Sequence, residues 1–93
     1  MRVQITYDPA KNERNIRERG LSFERAREFD FDSASIGSEF RHGEMRNLGA
    51  GYLDRRLHIL CYRLIPDGIR VISFRKANDR EARKYGKPKT LDG

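Results

Sequence analysis

The sequence predicts an α+β fold: an antiparallel sheet with two N-terminal helices and one C-terminal helix. Three observations predict it. Apolar and polar residues alternate in the first seven positions and again through the middle of the chain, as they do in half-buried strands. Helix-capping residues bracket one segment near each end. The links between the later strands are short, which makes consecutive strands antiparallel neighbours, and helices packed mainly against one face leave the other free.

The first strand and the first helix follow from patterns at the N-terminus. Apolar residues alternate with polar ones over residues 2–7, which indicates a strand. Asp8 then supplies an N-cap and Pro9 a favourable first helical residue, and Gly20 is a typical stop. We therefore expect a helix over residues 9–19.

A second short helix and four strands are expected next. Ser22 offers a hydroxyl to cap a helix in which Phe23 and Ala26 recur at helical spacing. The strands are predicted at residues 34–40, 44–52, 56–65 and 68–76. Pro66-Asp67-Gly68 has the composition of a tight reversal between the last two strands.

The last helix is predicted from a capping-box pattern. Asn78 is followed three residues later by Glu81, and the helix is expected to end near Tyr85, before Gly86. The tail over residues 86–93 is expected to be frayed. The length of 93 residues suits a single domain over residues 1–93.

The charge of the chain favours a polyanionic partner. Lys and Arg number 20 against 14 Asp and Glu, a net charge of +6, and Arg is the cation that forks onto phosphate oxygens. Arg75 and Lys76 stand where the last strand ends, at fixed separation. Three further cations are expected on the helix that follows: Arg80, Arg83 and Lys84. This cluster suits a nucleic acid or an acidic protein.

Cysteine and histidine usage excludes several classes of site. Cys61 is the single cysteine, so no internal disulfide forms, and its apolar neighbours indicate a buried thiol. We expect a cytoplasmic protein without membrane contact, because no membrane-length apolar run or secretory signal occurs. Two separated histidines and one cysteine give no metal-ligand spacing, and no phosphate-loop or dinucleotide motif is present. No metal and no cofactor are expected.

A second cluster, Arg41 to Arg46, lies where two predicted strands meet. His42 is the side chain best suited to exchange a proton near neutral pH, and Glu44 could position it or act as a base. Alternation places Glu44 and Arg46 on the same side of their strand. His58 lies in mid-strand and is interpreted as half-buried filler or as a cross-strand partner, not as a site residue.

In the last strand, alternation assigns Val71, Ser73 and Arg75 to one face and Phe74 to the other. Tyr85 is interpreted first as a packing residue, with a proton donor or a stacking platform as the functional alternative.

Several motifs together resemble the BrnT family of bacterial toxins over about residues 7–85. The matching positions are Asp8, Lys11 and Asn15; Gly20, Phe23 and Ala26; Arg41, His42, Glu44 and Arg46; and Arg70, Ile72, Ser73, Arg75, Lys76, Ala77, Glu81 and Tyr85. The strongest part is the last group. The chain departs from the family pattern where Glu18-Arg19-Gly20 replaces Lys-His-Gly and where Phe74 replaces a small residue.

The resemblance implies a RelE-like ribonuclease fold, cleavage of RNA and arrest of translation. It also implies a cognate BrnA-like antitoxin that brings DNA binding, in a hetero-oligomer with the toxin. RelE-like toxins vary in their catalytic residues, so the fold does not identify the base.

The leading hypothesis is a metal-independent endoribonuclease. Arg46, Arg75 and Arg63, the last from geometry alone, hold the scissile phosphate. His42 or Glu44 takes the proton of the ribose 2′-hydroxyl, and Tyr85 or Lys76 serves the leaving oxygen. Further RNA contacts come from Arg41, Arg63, Arg80, Arg83 and Lys84. The alternatives are a non-catalytic nucleic-acid-binding module and an antitoxin-docking module.

Overall fold

A computed structural model describes residues 3–91 of the chain and shows an α+β architecture around a five-stranded sheet. The elements in chain order are β1 (Gln4–Tyr7), α1 (Pro9–Arg19), a 3₁₀ helix (Phe23–Glu28), β2 (Ser35–Arg41), β3 (Glu44–Leu53), β4 (Arg56–Ile65), β5 (Gly68–Lys76) and α2 (Asp79–Tyr85). The predicted α+β class is confirmed, and the bounds of α1, β4 and β5 agree with the prediction. Arg2, included in the predicted first strand, lies outside the described residues.

The sheet is mixed, not wholly antiparallel as predicted. Its strand order is β1-β5-β4-β3-β2, and β1 lies parallel to β5, with Gln4 opposite Gly68 and Tyr7 opposite Val71. The remaining pairs are antiparallel. The prediction was wrong for β1 because short links fix direction only between consecutive strands, whereas β1 reaches β5 across most of the chain.

The second predicted helix is a 3₁₀ helix. Ser22 caps it as expected, its Oγ accepting from the backbone N–H of Glu24 at 3.2 Å. Phe23, Ala26 and Phe29 are all buried. A repeat of three residues fits the three-residue turn of a 3₁₀ helix and places these side chains on one side. The apolar spacing was therefore correctly read as helical, but the kind of helix was not.

Helix α1 covers the part of β5 that β1 leaves open. The pairing of β1 ends at Val71, so the edge of β5 beyond it has no neighbouring strand. The buried Asn15 donates from Nδ2 to the carbonyl of Phe74 at 3.0 Å, and the buried Asn12 accepts from the N–H of Phe23 at 2.7 Å. The Asn15 amide thus replaces strand pairing at Phe74, and the Asn12 amide satisfies the first N–H of the 3₁₀ helix, because a buried backbone group needs a partner.

Both faces of the sheet are covered, which corrects the expectation of one free face. The first core contains the 3₁₀ helix residues, and its members are Ile5, Leu21, Phe23, Ala26, Phe29, Leu53, Leu60, Tyr62, Ile69, Val71 and Phe74. The second core contains Ala50, Tyr52, Leu57, Ile59 and Ala77, with Ala82 and Tyr85 of α2 packed against it. The capping box of α2 lets it begin directly after β5 and fold over the second face.

A β-bulge in β5 changes which side chains share a face. Cys61 pairs with Ser73 and Tyr62 with Val71, so Ile72 has no partner on β4. An extra residue shifts the alternation by one position. Val71 therefore joins Phe74 in the first core, which corrects the predicted grouping of Val71 with Ser73. Ser73 keeps its predicted place with Arg75.

The segment after α2 returns along β4 instead of fraying. The N–H of Leu57 donates to the carbonyl of Lys89 at 2.7 Å, and the N–H of Leu91 donates to the carbonyl of Arg55 at 2.9 Å. Leu91 also packs against the second core. Apolar contact and backbone pairing together order residues 86–91, and residues 92–93 of the predicted tail lie outside the described part. No helix of the described residues has the length and apolar character needed to cross a membrane.

Candidate active site

Two cation-rich clefts lie on either side of Arg19 and Arg75. The sheet cleft, of about 490 Å³, lies between α1 and the face of the sheet that carries Ser73. Its six cations are Lys11, Arg14, Arg19, Arg41, Arg46 and Arg75, and its two carboxylates are Glu18 and Glu39. The histidine cleft, of about 740 Å³, surrounds His58 and is lined by Arg19, Arg25, Arg56, Arg75 and Lys76, with Asp54 as its carboxylate. This distribution favours an anionic ligand.

Arg75 is held by a two-point ion pair. Its Nη1 and Nη2 donate to Oε1 and Oε2 of Glu81 at 2.8 and 2.7 Å. The hydrogen bonds from Arg75 lower the pKa of Glu81 to about 2, and burial acts in the opposite direction. The same contact raises the pKa of Arg75. The guanidinium is therefore fixed in place and largely charge-compensated.

Glu44 and Arg46, predicted to lie on the same side of their strand, form an ion pair, and Arg63 also contacts Glu44. Nη2 of Arg46 lies 3.3 Å from Oε1 of Glu44, and Nη1 of Arg63 lies 3.1 Å from Oε2. Both oxygens of this carboxylate are thus engaged by guanidiniums. Arg46 reaches the sheet cleft, next to Cys61, whose buried thiol has a pKa raised by its burial. The predicted buried thiol is confirmed.

His42 lies at the tip of the β2–β3 hairpin and lines neither cleft. Its φ of 50° and the φ of 78° at Gly43 match the two-residue turn that closes such hairpins. Ala50 is level with Arg75 across β4, and Glu44 lies six residues further along β3. At about 3.3 Å per residue, this separates the hairpin turn from Arg75 by roughly 20 Å. The structure does not bring His42 and Arg75 together.

The cations of α2 occupy a different surface. Arg80, Arg83 and Lys84 are exposed and line neither cleft, although Nζ of Lys84 lies 5.4 Å from the centre of the Tyr85 ring. Tyr85 is half-buried against the second core, close enough to Arg75 to raise the pKa of that guanidinium. Of the predicted C-terminal cluster, Arg75 and Lys76 alone line a cleft.

His58, interpreted from the sequence as filler or a cross-strand partner, lines the larger of the two clefts. It is 4% exposed, and its Nδ1 lies 2.7 Å from the carbonyl oxygen of Arg56. Burial is the main cause that lowers its pKa below the usual value. The signal that could have identified it is its strand partner Lys76, but that pairing depends on a register not visible in sequence.

Within residues 3–91, no three His, Cys, Asp or Glu side chains lie close enough together to hold a metal ion. Several acids near the two clefts are paired with cations: Glu81 with Arg75, Glu44 with Arg46 and Arg63, Asp54 with Arg25, and Glu39 with Arg41. The described surface around the clefts is therefore arranged for anions.

A family model described as "Ribonuclease toxin, BrnT, of type II toxin-antitoxin system" matches residues 7–81. The matched range is 75 of the 93 residues and includes the lining residues of both clefts. Searches of curated proteins and of solved structures gave no match.

Proposed function

The chain belongs to the BrnT family of ribonuclease toxins of type II toxin-antitoxin systems, and from this premise we propose that it is a metal-independent endoribonuclease. Cleavage of cytoplasmic RNA by this enzyme inhibits translation. Residues 1–93 form one RelE-like toxin domain, and a cognate BrnA-like antitoxin neutralises it in a hetero-oligomer, contributing the contact with DNA.

The observation that carries the proposal is the pair of cation-rich clefts that share Arg19 and Arg75. RNA contains its own nucleophile, since the ribose 2′-hydroxyl can attack the adjacent phosphate. Such an enzyme has to position the phosphate, neutralise its charge and move protons. Guanidiniums on a hydrogen-bonded sheet are rigidly placed for the first two tasks.

The residues named from the sequence receive unequal support from the geometry. Arg46 and Arg75 line the same cleft and suit phosphate binding, with Arg41 at its rim and Arg63 next to Glu44. Lys76 lines the other cleft and is a candidate proton donor to the leaving oxygen, as is Tyr85 beside Arg75. Arg80, Arg83 and Lys84 extend the cationic surface along α2 and suit contacts with flanking nucleotides.

The predicted proton acceptor has weaker support. His42 lies roughly 20 Å along the sheet from Arg75, and both oxygens of Glu44 contact guanidiniums. Either residue could serve a phosphate bound at the Arg46 end of the sheet cleft. Neither is placed to serve one bound at Arg75.

The test is cleavage of a defined single-stranded RNA by the purified protein in EDTA. We expect products with 2′,3′-cyclic phosphate and 5′-hydroxyl ends, and no cut at a nucleotide whose 2′-hydroxyl is replaced by hydrogen. Arg46→Ala and Arg75→Ala should each reduce kcat/KM by about tenfold or more, as expected for loss of one charge-assisted contact with the RNA backbone. Arg17→Ala removes an equal charge from an exposed position outside both clefts and is the matched control.

Circular dichroism of each variant separates loss of function from loss of fold. Activity abolished by EDTA and restored by a divalent cation would contradict metal independence. Salt-dependent RNA binding with no turnover would favour the non-catalytic alternative. In a bacterial host, induced expression should arrest growth, and coexpression of the neighbouring antitoxin frame should relieve the arrest.

A further inference from the structure

His58 has one ring nitrogen committed to structure and one free for chemistry. Its Nδ1 lies 2.7 Å from the carbonyl oxygen of Arg56. A carbonyl oxygen only accepts hydrogen bonds, so Nδ1 must carry the proton. In a neutral imidazole the other nitrogen, Nε2, is then an unprotonated acceptor. In this tautomer Nε2 is the nitrogen that can act as a general base.

The free nitrogen reaches the histidine cleft. Within residues 3–91, Nδ1 of His58 makes a hydrogen bond and Nε2 makes none. No buried side-chain nitrogen in the described part of the chain is left without a partner. The residue as a whole is 4% exposed and lines the histidine cleft, so the cleft is the route by which a substrate can reach Nε2.

The ring is rigidly held. It lies 5.5 Å from the ring of Phe74, at an angle of 55° to it, and Phe74 is completely buried in the first core. The hydrogen bond to Arg56 fixes the rotation of the imidazole about the Cβ–Cγ bond. A base that is held in one orientation loses little entropy when a substrate binds.

Charged groups from every neighbouring element face this site. They are Arg19 of α1, Arg25 of the 3₁₀ helix, Asp54 of the β3–β4 turn, Arg56 of β4, and Arg75 and Lys76 of β5. Burial, Arg56 and Lys76 lower the pKa of His58, whereas the hydrogen bond to Arg56 and the charge of Asp54 raise it. The net direction is downward, which favours the neutral form of the imidazole.

Not all of these cations are available to an anion. Arg25 pairs with Glu28 and Asp54, and Arg75 pairs with Glu81. Arg56 differs because its guanidinium donates to the carbonyls of Leu57 at 2.7 Å and Ala77 at 3.1 Å, which fixes its position but leaves its charge uncompensated. Within residues 3–91, Lys76 makes no ion pair. Arg19 also makes no ion pair within residues 3–91, but its guanidinium donates to Oδ1 of Asn15 on α1. Arg56, two positions before His58 on β4, and Lys76, opposite it on β5, are therefore the uncompensated cations next to the ring.

We propose that His58 is the general base of this enzyme and that the scissile phosphodiester binds in the histidine cleft, between Arg56 and Lys76. The inference rests on the proposed ribonuclease function. It replaces the proton acceptor expected from the sequence and also the expected phosphate position at Arg46, which lines the sheet cleft and not the histidine cleft. Lys76 is directly opposite His58 in the β4–β5 pair and shares its face of the sheet. Side chains in such a pair are neighbours, with Cβ atoms about 5 Å apart.

The chemistry is balanced by these two residues and solvent. Nε2 of His58 accepts the proton of the 2′-hydroxyl while the bond from O2′ to phosphorus forms. The bond from phosphorus to O5′ breaks, and the ammonium group of Lys76 donates a proton to O5′. The products are a 2′,3′-cyclic phosphate and a 5′-hydroxyl. Water then removes the proton from His58 and returns one to Lys76.

The first test is His58→Asn. The side-chain amide of asparagine can still donate to the Arg56 carbonyl but cannot accept the 2′-hydroxyl proton. We expect kcat to fall by about 10²- to 10⁴-fold with little change in KM, the range that loss of a positioned base produces. A variant that folds and retains the kcat of the wild-type protein would overturn the proposal.

A chemically altered substrate separates the base from the acid. When sulfur replaces O5′, the thiolate leaves without needing a proton. Lys76→Met should lose activity of a similar order on ordinary RNA and recover most of it on the sulfur substrate, whereas His58→Asn should remain slow on both. If both variants recovered equally on the sulfur substrate, or if neither recovered, the assigned roles would be wrong.

The wild-type protein supplies a test that does not depend on the folding of a variant. The chain has two histidines, so imidazole NMR signals can be assigned by comparison with His42→Asn. The acidic limb of the kcat/KM profile should coincide with the titration of His58, below the usual histidine pKa. A limb that follows His42, or neither histidine, would overturn the inference, and absence of RNA cleavage by the wild-type protein would instead overturn the proposed function.

Discussion

Glu81 joins the end of β5 to the start of α2. Its carboxylate accepts hydrogen bonds from Nη1 and Nη2 of Arg75, and Oε1 also accepts one from the backbone N–H of Asn78 at 3.0 Å. Its own N–H donates to Oδ1 of Asn78 at 2.8 Å, which completes the capping box. A single side chain therefore positions the guanidinium that both clefts share and fixes the helix that covers the second core.

Glu81→Gln should reveal this coupling through pH. The pKa of Glu81 in the folded protein, about 2, lies below the ordinary 4.5, so the stabilisation is complete above about 4.5 and is lost as the pH falls towards 2. Glutamine can keep the capping contact while removing the charge. At pH 7 we expect a loss of about 1–3 kcal/mol in unfolding free energy, since the pair is partly buried.

Urea denaturation of the two proteins between pH 2.5 and pH 7 measures this difference, which should shrink across the acid range. Glu28→Gln is the control, because Glu28 pairs with Arg25 at the surface and should have a smaller, salt-screened effect. A difference for Glu81→Gln that is the same at pH 3 and pH 7 would refute the ion-pair explanation.

Strand β3 passes close to the side chains of Phe29 and Ala34 at Gly51, where a larger residue would not fit. A Cβ atom there would lie 2.7 Å from Cζ of Phe29 and 2.9 Å from Cβ of Ala34. Gly51→Ala should therefore cost about 1–3 kcal/mol, because the core must shift to admit a methyl group. Gly37→Ala in β2 is the matched control, since nothing lies within 4 Å of its added Cβ. Thermal unfolding compares the two, and an equal change in Tm would show that β3 does not need the close approach.

Local signals were sufficient to predict most elements. Asp8 and Gly20 bound α1, and Asn78 with Glu81 starts α2, because caps act within a few residues of the chain. The parallel pairing of β1 with β5 and the bulge at Ile72 depend on residues far apart in sequence. Neither leaves a local pattern, which is why the predicted sheet was antiparallel and Val71 was assigned to the wrong face.

The same distinction applies to the candidate site. Alternation predicted that Glu44 and Arg46 lie together, and they do. The position of His58 opposite Lys76 follows from the register of β4 and β5, and its burial follows from packing against Phe74. The sequence around His58, which lies between Leu57 and Ile59, indicates neither its register nor its packing.

At the scale of the whole molecule, the net charge of +6 does not indicate which cations bind RNA. Ion pairing shows which cations are already matched by a carboxylate. Arg25 lines the histidine cleft but contacts both Glu28 and Asp54, at 3.0 and 2.8 Å. Lys76 lines the same cleft and makes no ion pair within residues 3–91. Two cations of one cleft should therefore contribute differently to binding.

Salt dependence measures that difference directly. For single-stranded nucleic acid, log K falls with log salt with a slope of about −0.7 per phosphate neutralised. A 2′-O-methyl RNA, whose nucleophile is blocked, allows binding to be measured without cleavage. Lys76→Ala should reduce the steepness of the slope by about 0.7, because one released counterion is lost. Arg25→Ala should leave the slope unchanged, since its charge is already matched by two carboxylates. Equal slopes for the two variants would show that RNA does not bind through the uncompensated charge of this cleft.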